Sequence, residues 1–188
     1  QRDGQQRGEH VASGSDPPRV TLVTGRTYDL LNRLSSETEP LPDGGTRTVG
    51  YAYYANGTRK TVTDPAGAVT QYTYDGQNRL QGTTTDFGTA EAKTTSYGYW
   101  PDGLLQTVTY PNGVVATHTY DEADRLLTLA STQDATTVTS YAYTYDPNGK
   151  RTSTKYPGNR PVFYYYDNLN RLIAVEDWGG IATVYDYD

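Results

Sequence analysis

The sequence predicts an all-β protein made of antiparallel β-hairpin repeats, two hairpins in each 46-residue period, that form a curved, spiral or tubular sheet of a single layer. Two observations predict this fold. Tyr-Asp pairs recur every 46 residues, at Tyr28-Asp29, Tyr74-Asp75, Tyr120-Asp121 and Tyr166-Asp167, and a second series lies between them at Tyr53, Tyr99 and Tyr145-Asp146. Ahead of most turns, tyrosines also alternate with smaller residues, and a period of two is typical of strands.

Short turns are predicted to separate the strands. The fourth residue after each key tyrosine is Gly, Asn or Asp, the residues that tolerate a left-handed backbone: Asn32, Gly57, Asn78, Gly103, Asp124, Gly149 and Asn170. An Asp directly after the tyrosine favours a type I turn that such a residue closes. The returning strands begin with Arg33-Leu34, Arg79-Leu80, Arg125-Leu126 and Arg171-Leu172. We interpret all of these recurring residues as structural.

At the opposite ends of the hairpins, tight turns are expected to alternate with longer loops. The tight turns start at Asp64-Pro65, Tyr110-Pro111 and Tyr156-Pro157, and the longer loops are expected at Thr85 to Ala92 and Ser131 to Thr137. Residues 19–188 thus form an up-and-down array of about fifteen strands and about four periods. Residues 1–18, rich in Gln, Gly, Arg, Ser and Pro, are predicted to be a linker or a degenerate leading segment.

The composition favours a thin sheet with partly wet faces. Hydrophobic residues make up 35% of the chain, the mean hydropathy is −0.76, and there are 19 Tyr but 2 Phe. Tyrosine can bury its ring while its hydroxyl keeps a hydrogen bond. We expect rows of tyrosine rings, each packed on its equivalent in the neighbouring hairpin, to dominate stability, and the Asp–Arg pairs to set turn geometry and register.

The repeated segments resemble the YD repeats of the Rhs family. Tyr74-Asp-Gly-Gln-Asn-Arg-Leu80, Tyr145-Asp-Pro-Asn-Gly-Lys-Arg151 and Tyr166-Asp-Asn-Leu-Asn-Arg-Leu172 carry the resemblance, which covers about residues 20–188. The family includes bacterial Rhs and Tc-type toxin shells, wall-associated polymorphic toxins and the teneurins. The resemblance implies a hollow β-shell around a toxic domain, or the barrel of an adhesion receptor. Tyr54 and Trp100 depart from the pattern because they stand where Asp follows the key tyrosine, and no segment resembles the distal, self-cleaving core.

Charge and hydropathy exclude some partners. The net charge of −6 and the pI near 4.9 leave no basic patch for nucleic acid. No apolar run is long enough to span a membrane, and no export signal opens the chain. The absence of cysteine excludes disulfides and thiolate sites, and a chain without Cys or Met suits an oxidising exterior.

The sequence predicts no catalytic, cofactor or metal site. His10 and His118 cannot form a ligand cluster alone, and His118 occupies a slot in the tyrosine alternation. Acidic clusters at Asp121 to Asp124 and Glu176-Asp177 could bind calcium or act as a glycosidase pair, but Asp121 and Asp124 are explained as turn residues. Trp100 and Trp178 are candidate glycan contacts, with a rim contact to a neighbouring hairpin as the alternative.

These observations favour a non-enzymatic structural module of a secreted or surface protein, which forms part of a β-shell around a cargo or toxin domain. Its expected partners are further YD repeats, since the chain stops at Tyr185 to Asp188, the start of another unit, and an enclosed toxin domain, which the resemblance implies. Two alternatives remain open. One is adhesion or carbohydrate binding through exposed Tyr and Trp, and the other is a fibre assembled by strand addition at open sheet edges.

Overall fold

The computed structural model describes residues 24–188, which form fifteen strands and no helix. The strands are β1 (Gly25–Tyr28), β2 (Leu34–Pro40), β3 (Thr46–Tyr53), β4 (Arg59–Thr63), β5 (Val69–Tyr74), β6 (Leu80–Thr85), β7 (Lys93–Tyr99), β8 (Leu105–Thr109), β9 (Val115–Tyr120), β10 (Leu126–Gln133), β11 (Thr136–Tyr145), β12 (Arg151–Tyr156), β13 (Arg160–Tyr166), β14 (Leu172–Glu176) and β15 (Ala182–Val184). They follow one another in chain order in one open antiparallel sheet. The predicted all-β hairpin array is confirmed, whereas the predicted linker at residues 1–18 lies outside the described residues.

The turns after the key tyrosines, here called YD turns, have the predicted geometry. In the first one, the Asp29 N–H donates to the Arg33 carbonyl and the Asn32 N–H donates to the Asp29 carbonyl, both at 2.9 Å. The fourth residue after each tyrosine is left-handed, with φ between 60° and 99°, at Asn32, Gly57, Asn78, Gly103, Asp124, Gly149 and Asn170. The ladder register shifts beside the tyrosine, as in a hairpin closed by a bulge.

The opposite ends of the hairpins differ from the prediction at one place. The expected loop at Thr85 to Ala92 separates β6 from β7, but Ser131 to Thr137 is not a loop. Strand β10 continues to Gln133 and β11 begins at Thr136, so only Asp134 and Ala135 connect them, with φ of 48° and 63°. Two successive left-handed residues form the hairpin turn that matches strand twist. Ala carries no sequence signal for this conformation, which is why the sequence predicts a longer loop here.

The chain divides into two compact units, one ending at Thr94 and one beginning at Thr95, and neither has a layered apolar core in its described residues. The least exposed side chains are small and belong to the second unit: Val108 (8% exposed), Ala116 (5%) and Thr154 (3%). Val108 pairs with Tyr97 on one side and Ala116 on the other, and Thr154 pairs with Tyr143. At Val108 and Thr154, burial therefore occurs where a small residue lies beside a large ring.

The two faces of the sheet differ in chemistry because the tyrosines occupy alternate strand positions. The tyrosine face carries Tyr51, Tyr53, Tyr72 and Tyr74 in the first unit, and Tyr97, Tyr120, Tyr141, Tyr143, Tyr145, Tyr156, Tyr164 and Tyr166 in the second. Hydroxyls on the threonine face share hydrogen bonds across strands, in the pairs Thr27–Ser36, Thr38–Thr48, Thr84–Thr94, Thr119–Thr128 and Thr144–Ser153. The sheet is therefore bonded between side chains as well as through its backbone.

The left-handed position of the YD turn gives a prediction. Gly57→Ala should lower the free energy of unfolding by about 1 kcal/mol, because Gly57 has a φ of 90° that a Cβ disfavours. Gly76→Ala is the matched control, since Gly76 is also a turn glycine with open space around its Cα but has no such φ. Urea unfolding of the two variants measures the difference. Equal losses of stability would contradict the assignment of backbone strain.

Candidate functional site at the YD turns

The aspartate of the YD turn holds the turn closed. Asp29 Oδ1 accepts hydrogen bonds from the N–H groups of Leu31 and Arg33, each at 2.9 Å, and its Oδ2 accepts one from Arg33 Nε at 2.7 Å. The same arrangement recurs at Asp75, Asp121 and Asp167, each with an arginine four residues on. One carboxylate thus satisfies two backbone donors and orients a guanidinium.

The oriented arginine contacts the next YD turn. Arg33 Nη1 donates to the Tyr54 carbonyl at 3.0 Å, and its guanidinium lies 4.7 Å from the centre of the Tyr53 ring. Arg125 makes the same two contacts, with the Asp146 carbonyl at 3.0 Å and with the Tyr145 ring at 4.8 Å. The residue that closes one turn therefore covers the aromatic ring at the entrance to the next turn.

Lysine replaces arginine at one turn. Lys150 Nζ lies 3.4 Å from Asp146 Oδ2 and 5.2 Å from the centre of the Tyr166 ring. It also donates a hydrogen bond to Asn170 Oδ1 in the next turn. An ammonium is a single point of charge without the planar fork of a guanidinium, so this turn reaches its neighbour through the Asn170 side chain.

The tyrosine hydroxyl caps a backbone carbonyl on the preceding strand. Ladder pairing between β8 and β9 extends to Thr107 and Thr117, and Tyr120 Oη then donates to the Leu105 carbonyl at 3.0 Å. Equivalent bonds run from Tyr53 to Leu34, Tyr145 to Leu126, Tyr166 to Arg151 and Tyr187 to Leu172, at 2.6 to 3.0 Å. Phenylalanine cannot donate this bond, so these five positions require tyrosine.

Tyr54 and Trp100 form an aromatic version of the same contact. Tyr54 Oη donates to the Tyr72 carbonyl at 3.0 Å, and the Tyr54 ring packs edge to face on Tyr74, with centroids 6.2 Å apart. Trp100 occupies the equivalent place one period later, and its Nε1 donates to the His118 carbonyl at 3.2 Å. Turns without an acid and a cation at these positions therefore contact the next hairpin through an aromatic ring.

The turn carboxylates are more acidic than free aspartate. At Asp29, Asp75 and Asp167, the hydrogen bond from the backbone N–H of the following arginine is the largest influence, and it lowers the pKa together with the guanidinium. At Asp121 and Asp146, desolvation is the largest influence and raises the pKa, but the hydrogen bonds together outweigh it, so these pKa values are also lowered. The charged form is therefore part of the folded turn.

A shallow groove lies between two turns of the first unit. It has a volume of about 520 Å³, and Tyr54, Asn56, Tyr74 and Asn78 are among the residues that line it. Asn56 Nδ2 donates to Asn78 Oδ1 at 2.8 Å across the groove. Thr58 occupies the position that Arg or Lys holds in the acidic turns, and this shorter side chain leaves the space open.

The predicted glycan contacts have different environments. Trp100 is partly buried and its indole N–H is bonded within the sheet, whereas Trp178 is 63% exposed, with the Arg160 guanidinium 5.3 Å from its ring centre. His118 is on the tyrosine face, and its Nδ1 is buried with no partner. His10 lies outside the described residues. The hydroxyl-to-carbonyl bonds were not predicted, although the choice of Tyr over Phe at fixed spacing is the signal that could have revealed them.

Within residues 24–188, no three His, Cys, Asp or Glu side chains are grouped closely enough to hold a metal ion. Over the same range there is no helix of the length and apolarity needed to cross a membrane. The ionisable side chains that recur in the repeats instead bond to the turn backbone or to neighbouring rings.

Comparison with known proteins gives one family match and several structural ones. The RHS repeat model matches residues 53–90 and 99–138, and no curated protein is similar enough to match. The crystal structure of TcdB2-TccC3-Cdc42 is similar, with 19% identity and a TM-score of 0.72 over 79% of this chain. The Photorhabdus luminescens Tc holotoxin pore, solved with a TccC3 variant, is similar with 20% identity and a TM-score of 0.73 over 82%. The chain spans 9% of the length of each of those chains. At these identities the similarity establishes the fold alone.

The hydroxyl cap gives a prediction for tyrosine. Tyr120→Phe should lower the free energy of unfolding by about 1 kcal/mol, because the Leu105 carbonyl loses its donor while the ring stays in place. Tyr165→Phe is the comparison on the threonine face, where the hydroxyl bonds to the half-buried Glu176 side chain instead of a backbone carbonyl. Denaturant unfolding measures both variants. A smaller effect at Tyr120 than at Tyr165 would refute the cap.

The cation at the end of the turn gives a second prediction, in which two substitutions act in opposite directions. Arg125→Lys should lower the melting temperature by roughly 2–4 °C, because it removes the bond to the Asp146 carbonyl and weakens stacking on Tyr145. Lys150→Arg should raise it, because a guanidinium can donate to Asp146 and stack on Tyr166 at once. Calorimetry tests the pair, and a shift in the same direction for both would overturn the interpretation.

The lowered pKa values give a prediction for acid. A group whose folded pKa lies below its unfolded value of about 3.9 stabilises the fold above that pH, and the stabilisation is lost as pH falls through the folded pKa. The melting temperature should therefore be insensitive to these groups between pH 7 and about pH 5 and should fall below about pH 4. Asp121→Asn keeps an Oδ1 acceptor but no charge, so its acid-induced fall should be smaller. An identical fall in both proteins would exclude Asp121 as a contributor.

Proposed function

Because this chain carries RHS repeats and belongs to the Rhs family of YD-repeat proteins, we propose that it is a non-enzymatic structural module and part of a β-shell that encloses a cargo. Proteins that share its fold occur in the TcdB2-TccC3 and Tc holotoxin structures. A continuous wall of hydrogen-bonded strands separates an enclosed cargo from the surroundings, and this function requires no specific binding pocket.

The observation that carries the proposal is the contact between consecutive turns. Within each unit, the side chain that closes one turn also binds the backbone or the aromatic ring of the next turn, as Arg33 does with Tyr54 and Arg125 does with Asp146. Such contacts fix neighbouring hairpins to each other at the edge of the sheet, where backbone pairing stops. A barrier requires neighbouring hairpins that do not separate, and this network supplies that property.

The same network supports a non-enzymatic role. General acid–base catalysis needs a carboxylate or imidazole near a substrate with its pKa moved toward neutrality. The turn aspartates have pKa values moved the other way, and their oxygens are occupied by backbone N–H groups. These carboxylates therefore act as turn-forming groups.

We place the module outside the cell or at its surface, in agreement with its likeness to a Tc holotoxin component and with a chain that contains neither Cys nor Met. The partners proposed for it are further YD repeats of the same or a neighbouring chain, and an enclosed toxin domain.

Electron microscopy combined with limited proteolysis tests the shell. The natural full-length protein should appear as hollow particles, and a segment inside them should resist protease until the shell is opened. Arg125→Ala with Arg33→Ala should expose that segment, because both substitutions remove contacts between turns. Solid particles without a protected segment would refute the shell. Regular filaments of the isolated chain would instead support the fibre alternative.

Carbohydrate binding is a second candidate, favoured by one specific observation. Trp178 presents a large exposed ring, and such rings stack on sugars. Polysaccharide titration should quench its fluorescence in the wild-type protein and in Trp100→Phe, but not in Trp178→Phe. Since Trp100 is bonded within the sheet, it serves as the control. A trace that stays flat with a panel of neutral and acidic polysaccharides would exclude this function.

A further inference from the structure

Four tyrosines of the second unit form a cluster on the tyrosine face. Tyr141 on β11 lies directly opposite Tyr156 on β12, because Tyr143 pairs with Thr154 in the same ladder. The Tyr141 and Tyr156 rings pack edge to face, with centroids 5.8 Å apart and planes at 78°. Tyr164 on β13 completes the cluster. A directly opposed pair of phenol rings joins two strands of one hairpin.

The cluster is built around a small residue. Thr154 is 3% exposed, and it lies between Tyr143 and Val162 in the sheet. Tyr156 lies two residues along β12 from Thr154, and Tyr164 lies two residues along β13 from Val162. The charge of Tyr164 is the largest influence on the pKa of Tyr156, which it raises. Tyr156 therefore lies close to a second phenol, that of Tyr164, as well as to the ring of Tyr141.

Tyr156 combines this neighbour with access to solvent. It is 41% exposed, so an oxidant can reach it, while Tyr141 beside it is partly buried. The Tyr54–Tyr74 pair has a similar separation of 6.2 Å, but both rings are partly buried and the Tyr54 hydroxyl is bonded to the Tyr72 carbonyl. The opposed pair of β11 and β12 is thus the more accessible of the two.

We propose that Tyr141 and Tyr156 form a dityrosine cross-link when a peroxidase and hydrogen peroxide oxidise the protein. The opposed register and the short distance between the rings carry this inference. The bond would staple the β11–β12 hairpin covalently. This cross-link would give Tyr141 and Tyr156 a structural role that is separate from the proposed shell function and does not depend on it.

The reaction balances with hydrogen peroxide as the oxidant. Each phenol loses one electron and one proton to become a phenoxyl radical, and the two radicals couple through ring carbons adjacent to the hydroxyl-bearing carbon. A proton then moves from each of those carbons to the oxygen of its own ring, which restores both aromatic rings and both phenol groups, while the two electrons and two protons removed in the first step reduce hydrogen peroxide to water. Two tyrosines and one hydrogen peroxide yield one dityrosine and two waters.

A dityrosine cross-link would stabilise this chain by constraining its unfolded state. It contains no cysteine, so disulfides are not available to constrain its unfolded state. Its strands are joined only by hydrogen bonds and side-chain contacts around few buried residues. A cross-link that closes the segment between Tyr141 and Tyr156 would restrict the unfolded chain in the way a disulfide does.

Peptide mapping after oxidation tests the proposal. The folded chain, kept dilute so that coupling stays within one molecule, is treated with a haem peroxidase and one equivalent of hydrogen peroxide. Trypsin then places Tyr141 in the peptide 126–150 and Tyr156 in the peptide 156–171, since the Arg160-Pro161 bond resists cleavage. The expected product is these two peptides joined, two hydrogens lighter than their sum, with dityrosine fluorescence.

Variants assign the cross-linked residues. Tyr141→Phe and Tyr156→Phe keep the rings but remove the phenols, so each should abolish the joined peptides. Tyr165→Phe is the matched control, because Tyr165 is in the same peptide and is 45% exposed but lies on the other face, bonded to Glu176; it should leave the yield unchanged. Joined peptides that persist in Tyr156→Phe, coupling only between molecules, or coupling at Tyr54–Tyr74 instead would each overturn the proposal.

Discussion

The fold depends on the hydrogen bonds that tyrosine hydroxyls make to unpaired backbone carbonyls at the YD-turn ends of the strands. Backbone pairing between two strands stops before the turn, and the carbonyl beyond the last pair needs a donor. The tyrosine at the end of the next strand donates its hydroxyl to that carbonyl, as Tyr53 does to Leu34 and Tyr145 to Leu126. One side chain thus closes the ladder and presents a ring for the cation of the preceding turn. Losing it removes both contacts at once.

This arrangement explains how a sheet with few buried residues can be stable. Each cation placed over a ring contributes about 0.5–1 kcal/mol at an exposed site, and each hydroxyl bond about 1 kcal/mol. Such terms are small singly, but they recur at successive turns and hold neighbouring hairpins in register. The same side chains that would make a site reactive are used within the structure. Asp75, for example, has both carboxylate oxygens bonded to its own turn.

Variation between the turns follows from the same requirement. A ring at the entrance to a turn needs a neighbour, and either a cation or a second aromatic side chain can supply it. Arg125 does so for Tyr145, and Tyr54 does so for Tyr74. The departures from the Tyr-Asp pattern at Tyr54 and Trp100 are therefore alternative solutions with the same geometry, since each donates to an equivalent carbonyl.

The sequence by itself determined the strands, the YD turns and the order of the sheet, because these signals are local: a left-handed residue such as Asn32 and a period of two can be recognised without knowing any distant contact. It did not reveal that Asp134 and Ala135 form a two-residue turn, since alanine gives no sign of a positive φ. Only the tertiary structure decided which ring each cation covers, which carbonyl each hydroxyl caps, and why Thr154 is buried. The bonds of the turn cations and of the tyrosine hydroxyls join residues 15 to 21 positions apart, and all of these contacts depend on the register of neighbouring strands.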